Sequence, residues 1–213
     1  MKKTPVLDAN GKRKFGIRDK LAYAAGDAGC NLSFGLKSTV QTFWLIYMTM
    51  ETGLLSALLL LVQAWDAIND PIIGSMVDKH VFKSGEKLRP FLKYTPLPVG
   101  IFTVLIFLVF STSEDMLWLR IAYFVIMYIC WDISYTLQDV AMWGITACVS
   151  PNSDERDTFV KWARTVGSCV YGIFGGLIPM AIESTALATK TSMRLVTLIF
   201  ALILGLGGAM LSY

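Results

Sequence analysis

Gly53-Leu54-Leu55-Ser56-Ala57-Leu58-Leu59-Leu60-Leu61-Val62-Gln63-Ala64-Trp65-Asp66-Ala67-Ile68-Asn69-Asp70-Pro71-Ile72-Ile73-Gly74-Ser75-Met76-Val77 is an apolar run interrupted late by two carboxylates. At 1.5 Å per residue a helix over it is about 37 Å long, enough to cross a hydrocarbon layer of roughly 30 Å. Similar runs between charge clusters place spans near 21–50, 53–77, 94–113, 116–149, 158–182 and 195–213. The chain thus divides into a tail, 1–20, and a six-helix transmembrane bundle, 21–213. Composition agrees: of 213 residues 54% are hydrophobic and 16% charged, with a mean hydropathy of +0.55, whereas a soluble domain carries about 25% charged residues. An all-α polytopic membrane protein follows.

The basic residues give its orientation. Seven Lys and Arg lie in the tail to residue 20, five in 79–93 and two in 150–161, against none at 51–53 or 113–115 and two, Lys190 and Arg194, at 183–194. Fourteen against two places the N-terminus in the cytosol by the positive-inside rule. The net charge of +3 is therefore a topology signal, and no arginine-rich face with interleaved aromatics suggests a nucleic-acid partner. Lys2 and Lys3 are followed by Asp8, Asn10, Lys12, Arg13 and Lys14, so no apolar core of a signal peptide follows them.

An ionised carboxylate at mid-membrane costs about 2.5 to 3.5 kcal/mol on insertion scales and normally faces a cavity, a partner or an ion. Asp66 and Asp70 are one helical turn apart with Asn69 between them, so their oxygens share a side. Pro71 leaves the carbonyl of Ala67 without its helical donor, adding an acceptor. Such a set suits a small hard cation, and a proton, sodium or lithium ion would each neutralise it. The plainer alternative is a helix end whose aspartates pair with Lys79 or Arg89 at the cytosolic surface.

On the fourth span Asp132, Thr136, Asp139 and Trp143 follow at intervals of four, three and four, stacking on one face. A carboxylate one turn from an indole ring is a saccharide-binding arrangement, although tryptophan also serves as an interfacial anchor. Arg164 on the fifth span needs a counter-charge, for which Asp139 or Asp27 is available, and its planar fork can hold two oxygens at once. On the first span Asp27 and Asn31 share a face, whereas Lys37 lies about 120° around from Asn31. The polar first and fourth spans occupy matching places in two three-helix units, as in carriers built from inverted repeats.

Other chemistries are poorly supported. Cys30, Cys130, Cys148 and Cys169 lie in apolar stretches without C-x-x-C spacing, as small hydrophobes at helix contacts do, and the single histidine, His80, falls in a charged loop. No H-E-x-x-H occurs and no serine has a basic partner at a suggestive spacing, so neither an enzyme nor a resident cofactor or metal centre is expected. Channel pores use symmetric rings rather than one off-centre carboxylate cluster.

These residues resemble the glycoside-pentoside-hexuronide:cation symporters of the major facilitator superfamily, to which the melibiose carrier belongs. The resemblance rests on Gly26-Asp27-Ala28-Gly29, on Trp65 to Pro71 continuing to Gly74 and Asp78, on Gly85 with Arg89-Pro90-Phe91, on Tyr135-Thr136 with Asp139 and Trp143, and on Glu155-Arg156 followed by Arg164. It implies a cation site from Asp66, Asn69, Asp70 and Thr136, a sugar site using Asp139, Trp143 and Arg164 beside Asp27 and Asn31, and symport of a sugar or glycoside with sodium or a proton across a bacterial inner membrane. The chain departs from the melibiose carrier in having Asn31 where that carrier has a sugar-binding aspartate, Cys30 where it has a lysine, and Asp132 where it has glycine. Asp132 is left between two roles, touching the substrate or pairing with Lys37. A facilitator carrier has twelve spans, so the chain is expected to be the N-terminal six, completed by a C-terminal half or by a second copy in a parallel dimer. The remaining alternative is a non-transporting membrane subunit that binds a partner through its helix faces.

Overall fold

A computed structural model describes residues 16–47, 50–83, 85–108, 116–150 and 152–211. Residues 1–15 of the expected cytosolic tail and the side chain of Lys37 lie outside the described residues. Every regular element among the described residues is helical: α1 (Ile17–Gly35), α2 (Lys37–Tyr47), α3 (Thr52–Lys79), α4 (Arg89–Tyr94), α5 (Pro96–Ile106), α6 (Leu117–Val149), α7 (Ser153–Thr189), α8 (Met193–Phe200), a π-helical stretch (Ala201–Leu206) and α9 (Gly207–Met210). Among the described residues four helices are long and apolar enough to cross a membrane: Thr52–Lys79, Leu117–Cys148, Ser153–Thr189 and Met193–Met210. Pro96–Ile106 is apolar but shorter.

Local chemistry accounts for where the helices begin and bend. At the start of α1 the Gly16 N–H donates to the Asp19 carboxylate at 2.9 Å, an anion where the helix dipole favours one. The first expected span is two helices rather than one, parted at Leu36, whose N–H still reaches the Ser33 carbonyl at 3.3 Å. α7 starts earlier and ends later than the apolar run 158–182 suggests. The Asp154 N–H is capped by the Asn152 side chain at 3.0 Å, Asp154 and Glu155 occupy the first turn, and the left-handed Lys190 ends the helix. Polar capping extends a helix beyond the part that lipid can cover.

Packing follows two kinds of contact. In a bilayer lipid tails are as apolar as the side chains, so helices associate by close fit and hydrogen bonding rather than by exclusion of water. The first contact is a seam of small residues: a Cβ added at Gly29 would strike the Gly208 carbonyl oxygen, and one at Gly208 would lie 2.8 Å from the Gly29 carbonyl oxygen. The backbones of α1 and α9 therefore touch. Beside them the Ser33 hydroxyl donates to the Gly205 carbonyl at 2.9 Å, satisfying an acceptor in the π-helical stretch. The second contact is an aromatic core joining α2, α5 and α6. Trp44 meets Phe124 edge-on at 4.7 Å and donates its indole N–H to the Ile106 carbonyl at 3.1 Å, and Trp131 donates to the Thr103 hydroxyl at 3.0 Å. The indoles of Trp44 and Trp131 are thus satisfied as well as packed.

The outer surface is apolar. Leu60, Leu61, Ile68 and Ile72 on α3, Trp118 on α6, and Ile173, Leu177, Met180 and Leu187 on α7 are all exposed. A water-soluble monomer does not display that much contiguous apolar surface. With the four long apolar helices it identifies an integral membrane protein.

Candidate functional site

α3 packs along α6, which brings Asn69 against Asp132 and Thr136. The Asn69 amide donates to Asp132 Oδ2 at 3.0 Å and, more weakly, to Thr136 Oγ1 at 3.4 Å. The Thr136 hydroxyl donates in turn to Asp70 Oδ1 at 3.2 Å. Asn69, Asp132 and Thr136 are buried, Asp66 is partly buried one turn earlier on α3, and Asp70 is more exposed. Hydrogen bonds to charged groups contribute about 1.5 to 3 kcal/mol each, so this chain fixes the register of α3 on α6. Its members keep further lone pairs on carboxylate, amide and hydroxyl oxygens, the ligands that a hard cation prefers. Among the described residues no three His, Cys, Asp or Glu side chains converge on a metal position. The oxygens this helix pair brings together are mixed, from carboxylate, amide and hydroxyl groups.

The second cluster lies one turn further along α6. Trp143 donates its indole N–H to Asp139 Oδ1 at 3.1 Å, which fixes the plane of the ring. Arg164 on α7 lies over that ring, its Cζ 4.0 Å from the centroid, a cation–π contact worth about 0.5 to 2 kcal/mol. Among the described residues Arg164 makes no hydrogen bond or ion pair, so its fork of donors remains available. Tyr23 closes the far edge, meeting Trp143 at 6.2 Å and Phe159 at 6.0 Å edge-on while its hydroxyl donates to the Met142 carbonyl at 2.9 Å.

The third part is the contact of α1 with α7. Asn31 donates its amide to the Asp27 carbonyl at 2.9 Å. Asp27 is 1% exposed, and its Oδ2 has no hydrogen-bond partner among the described residues. Both side chains fit against α7 because residue 167 is glycine: a Cβ there would strike Asp27 Oδ2 and lie 2.6 Å from Asn31 Nδ2. Gly167 is one turn from Arg164, so Asp27 and Asn31 border the Arg164–Trp143–Asp139 group. A buried acceptor, free guanidinium donors and an indole platform suit a polyhydroxylated ligand.

Asp66, Asn69, Asp70 and Thr136 thus lie on one packed helix pair, and Asp27, Asn31, Asp139, Trp143 and Arg164 gather where α1, α6 and α7 meet. Asp132 resolves onto the Asn69 side. Three participants escaped the sequence reading: Asp132 as a partner of Asn69, Tyr23 against Trp143, and Gly167 under Asp27. Spacing held the signal, since Tyr23 is one turn before Asp27, Gly167 one turn after Arg164, and Asp132 one turn before Thr136. Of the cysteines expected at helix contacts, Cys30 is buried but Cys148 and Cys169 face outward, because apolar sequence alone does not separate a lipid-facing side from a helix-facing one.

Residues 22–213 match the family model of the MFS/sugar transport proteins. Among curated relatives, the uncharacterized symporter YjmB of Bacillus subtilis is 30% identical over 169 residues, covering 76% of this chain and 35% of its own length. The lactose permease of Leuconostoc lactis is 28% identical over 196 residues, 84% of this chain and 30% of the permease. The sodium-dependent lysophosphatidylcholine symporter 1 of Gallus gallus is 25% identical over 197 residues, 85% of this chain and 35% of that protein. The chain spans about a third of the length of these relatives, which are transporters rather than enzymes by name.

Proposed function

The chain belongs to the family of MFS/sugar transport proteins, and on that premise we propose that it forms the six-span half of a cation-coupled carrier moving a sugar or glycoside with sodium or a proton. In this reading α1–α2, α3, α4–α5, α6, α7 and α8–α9 are the six spans, with the N-terminus in the cytosol of a bacterial cell. A second six-helix unit, a C-terminal half or another copy, faces the polar surfaces of α1, α3 and α6. Asp66, Asn69, Asp70 and Thr136 hold the ion, and Asp139, Trp143 and Arg164, bordered by Asp27 and Asn31, hold the sugar.

The observation that carries this reading is that one helix bears both clusters. Thr136, bonded to Asp70, and Asp139, bonded to Trp143, are three residues apart on α6. Neutralising Asp70 with a cation relaxes or tightens Thr136, and a shift of α6 by a fraction of an ångström moves the Asp139–Trp143 pair. Each ligand then alters the affinity for the other by the same factor. The relatives' names divide between a sugar and a lysolipid; the buried Asp27 acceptor, the Trp143 platform and the Arg164 donors favour the hydroxyl-rich ligand. Uptake of labelled sugar into vesicles holding the chain with its second half, driven by an imposed sodium or proton gradient, tests the proposal. Uptake that ignores both gradients, or a preference for lysolipid over every glycoside, would refute it.

A further inference from the structure

The segment between α3 and α5 is built like a receptor rather than a plain connection. The Phe82 N–H donates to the Glu86 carbonyl at 3.2 Å, the Gly85 N–H to the Phe82 carbonyl at 2.9 Å, and Gly85 has φ +78°, a conformation that side-chain-bearing residues rarely adopt. Phe82 packs on Phe91 at 4.9 Å and on His80 at 4.5 Å, both edge-on. The closed turn and its aromatic floor hold open a cavity of about 810 Å³ whose lining includes Phe82, Lys83, Glu86, Arg89, Lys93 and Tyr94. Glu86 is the only acid in that lining and sits 3.6 Å from Arg89. Lys83 and Lys93 make no ion pair among the described residues.

We propose that this cationic cavity seats the phosphate of an anionic phospholipid. Two features favour a lipid over a free phosphate. The cavity lies at the end of α3, a helix long and apolar enough to cross the bilayer, which is where headgroups are found. Its Tyr94 wall also continues into exposed apolar side chains, Leu97 and Ile101, at 61% and 48% exposure. Residues 94, 97 and 101 are spaced three and four apart along α4 and α5, so they form one face, along which an acyl chain lies while its phosphate reaches Lys83, Arg89 and Lys93. The proposal is independent of the transported substrate.

The test is a titration of the full chain, in uncharged detergent, with dansyl-labelled phosphatidylglycerol, alongside phosphatidylcholine and inorganic phosphate as competitors. A basic residue near an anionic lipid surface contributes about fivefold in affinity. Lys83→Gln should therefore weaken phosphatidylglycerol binding about fivefold, and Lys83→Gln/Arg89→Gln/Lys93→Gln roughly a hundredfold. The charge-matched triple Arg18→Gln/Lys161→Gln/Lys190→Gln should leave it unchanged. Phosphatidylcholine and millimolar phosphate should compete poorly. Equal losses in both triples, no loss with Lys83→Gln, or full displacement by inorganic phosphate would overturn the proposal.

Discussion

Replacing Gly167 with alanine puts a methyl group where the structure has no room for one. The new Cβ would strike Asp27 Oδ2 and stand 2.6 Å from Asn31 Nδ2 and 2.9 Å from Asp27 Cγ, whereas ordinary carbon contacts lie at about 3.5 to 4.0 Å. Either α1 retreats from α7 by about an ångström, or Asp27 and Asn31 take new rotamers and the 2.9 Å bond from Asn31 to the Asp27 carbonyl breaks. Overpacking of this kind costs about 1 to 3 kcal/mol, and a 1 Å misplacement of a binding group lowers function by up to about a hundredfold. Gly167→Ala should therefore lower the melting temperature of the chain in mild detergent and weaken sugar binding to the complete carrier by about ten- to a hundredfold. Gly172→Ala and Gly176→Ala, on the same helix with nothing within 4 Å, should leave sugar binding unchanged and should not lower the melting temperature, since alanine favours a helix over glycine. Normal affinity and stability in Gly167→Ala would mean that Asp27 and Asn31 are not packed against α7 as described.

Asp132→Ala removes the stronger acceptor of the Asn69 amide, leaving only the 3.4 Å contact to Thr136; an unsatisfied buried donor costs about 1 to 3 kcal/mol, so cation affinity should fall about tenfold or more in a sodium titration, and an unchanged affinity would place Asp132 outside the ion cluster. Trp143→Phe keeps a ring beneath Arg164 but loses the 3.1 Å bond to Asp139; sugar affinity measured by equilibrium dialysis should drop about three- to tenfold, and Trp143→Ala should drop it further, whereas unchanged affinity in both would mean that the indole serves only as an interfacial anchor. With Cys148 and Cys169 replaced by serine, a cysteine at Glu86, whose side chain is 50% exposed, should react with an impermeant maleimide only after permeabilisation, and one at Lys190 from outside. The opposite pattern would invert the orientation.

Much of this architecture was legible before any coordinates, because the signals involved are long or dense. The run 53–77 and the long apolar helices it resembles are set by bilayer thickness, which leaves little freedom. The four-residue spacing of Asp139 and Trp143 puts them on one helical face, whereas the grouping of Thr136 with Asp66, Asn69 and Asp70 came only from the family resemblance. What escaped depended on three-dimensional registry. Nothing in the sequence says that Leu36 parts α1 from α2, since leucine is a good helix former, or that Ala201–Leu206 widens into a π-helical stretch to bring the Gly205 carbonyl to the Ser33 hydroxyl. Which backbone or carboxylate the glycines at 29, 167 and 208 each admit depends on helix crossing points that pattern alone does not fix.

Coupling of an ion to a sugar through α6 is read by measuring sugar affinity against sodium concentration in the complete carrier, and sodium affinity against sugar concentration, for the native protein and for Asp70→Cys and Arg164→Ala. In the native protein the two enhancements should be equal and reciprocal. Asp70→Cys should bind sugar weakly and with no response to the cation, whereas Arg164→Ala should weaken sugar binding at every sodium concentration while still binding sodium. If Asp70→Cys kept the full sodium enhancement, the chain from Asp70 through Thr136 would be structural, and the coupling would have to lie elsewhere.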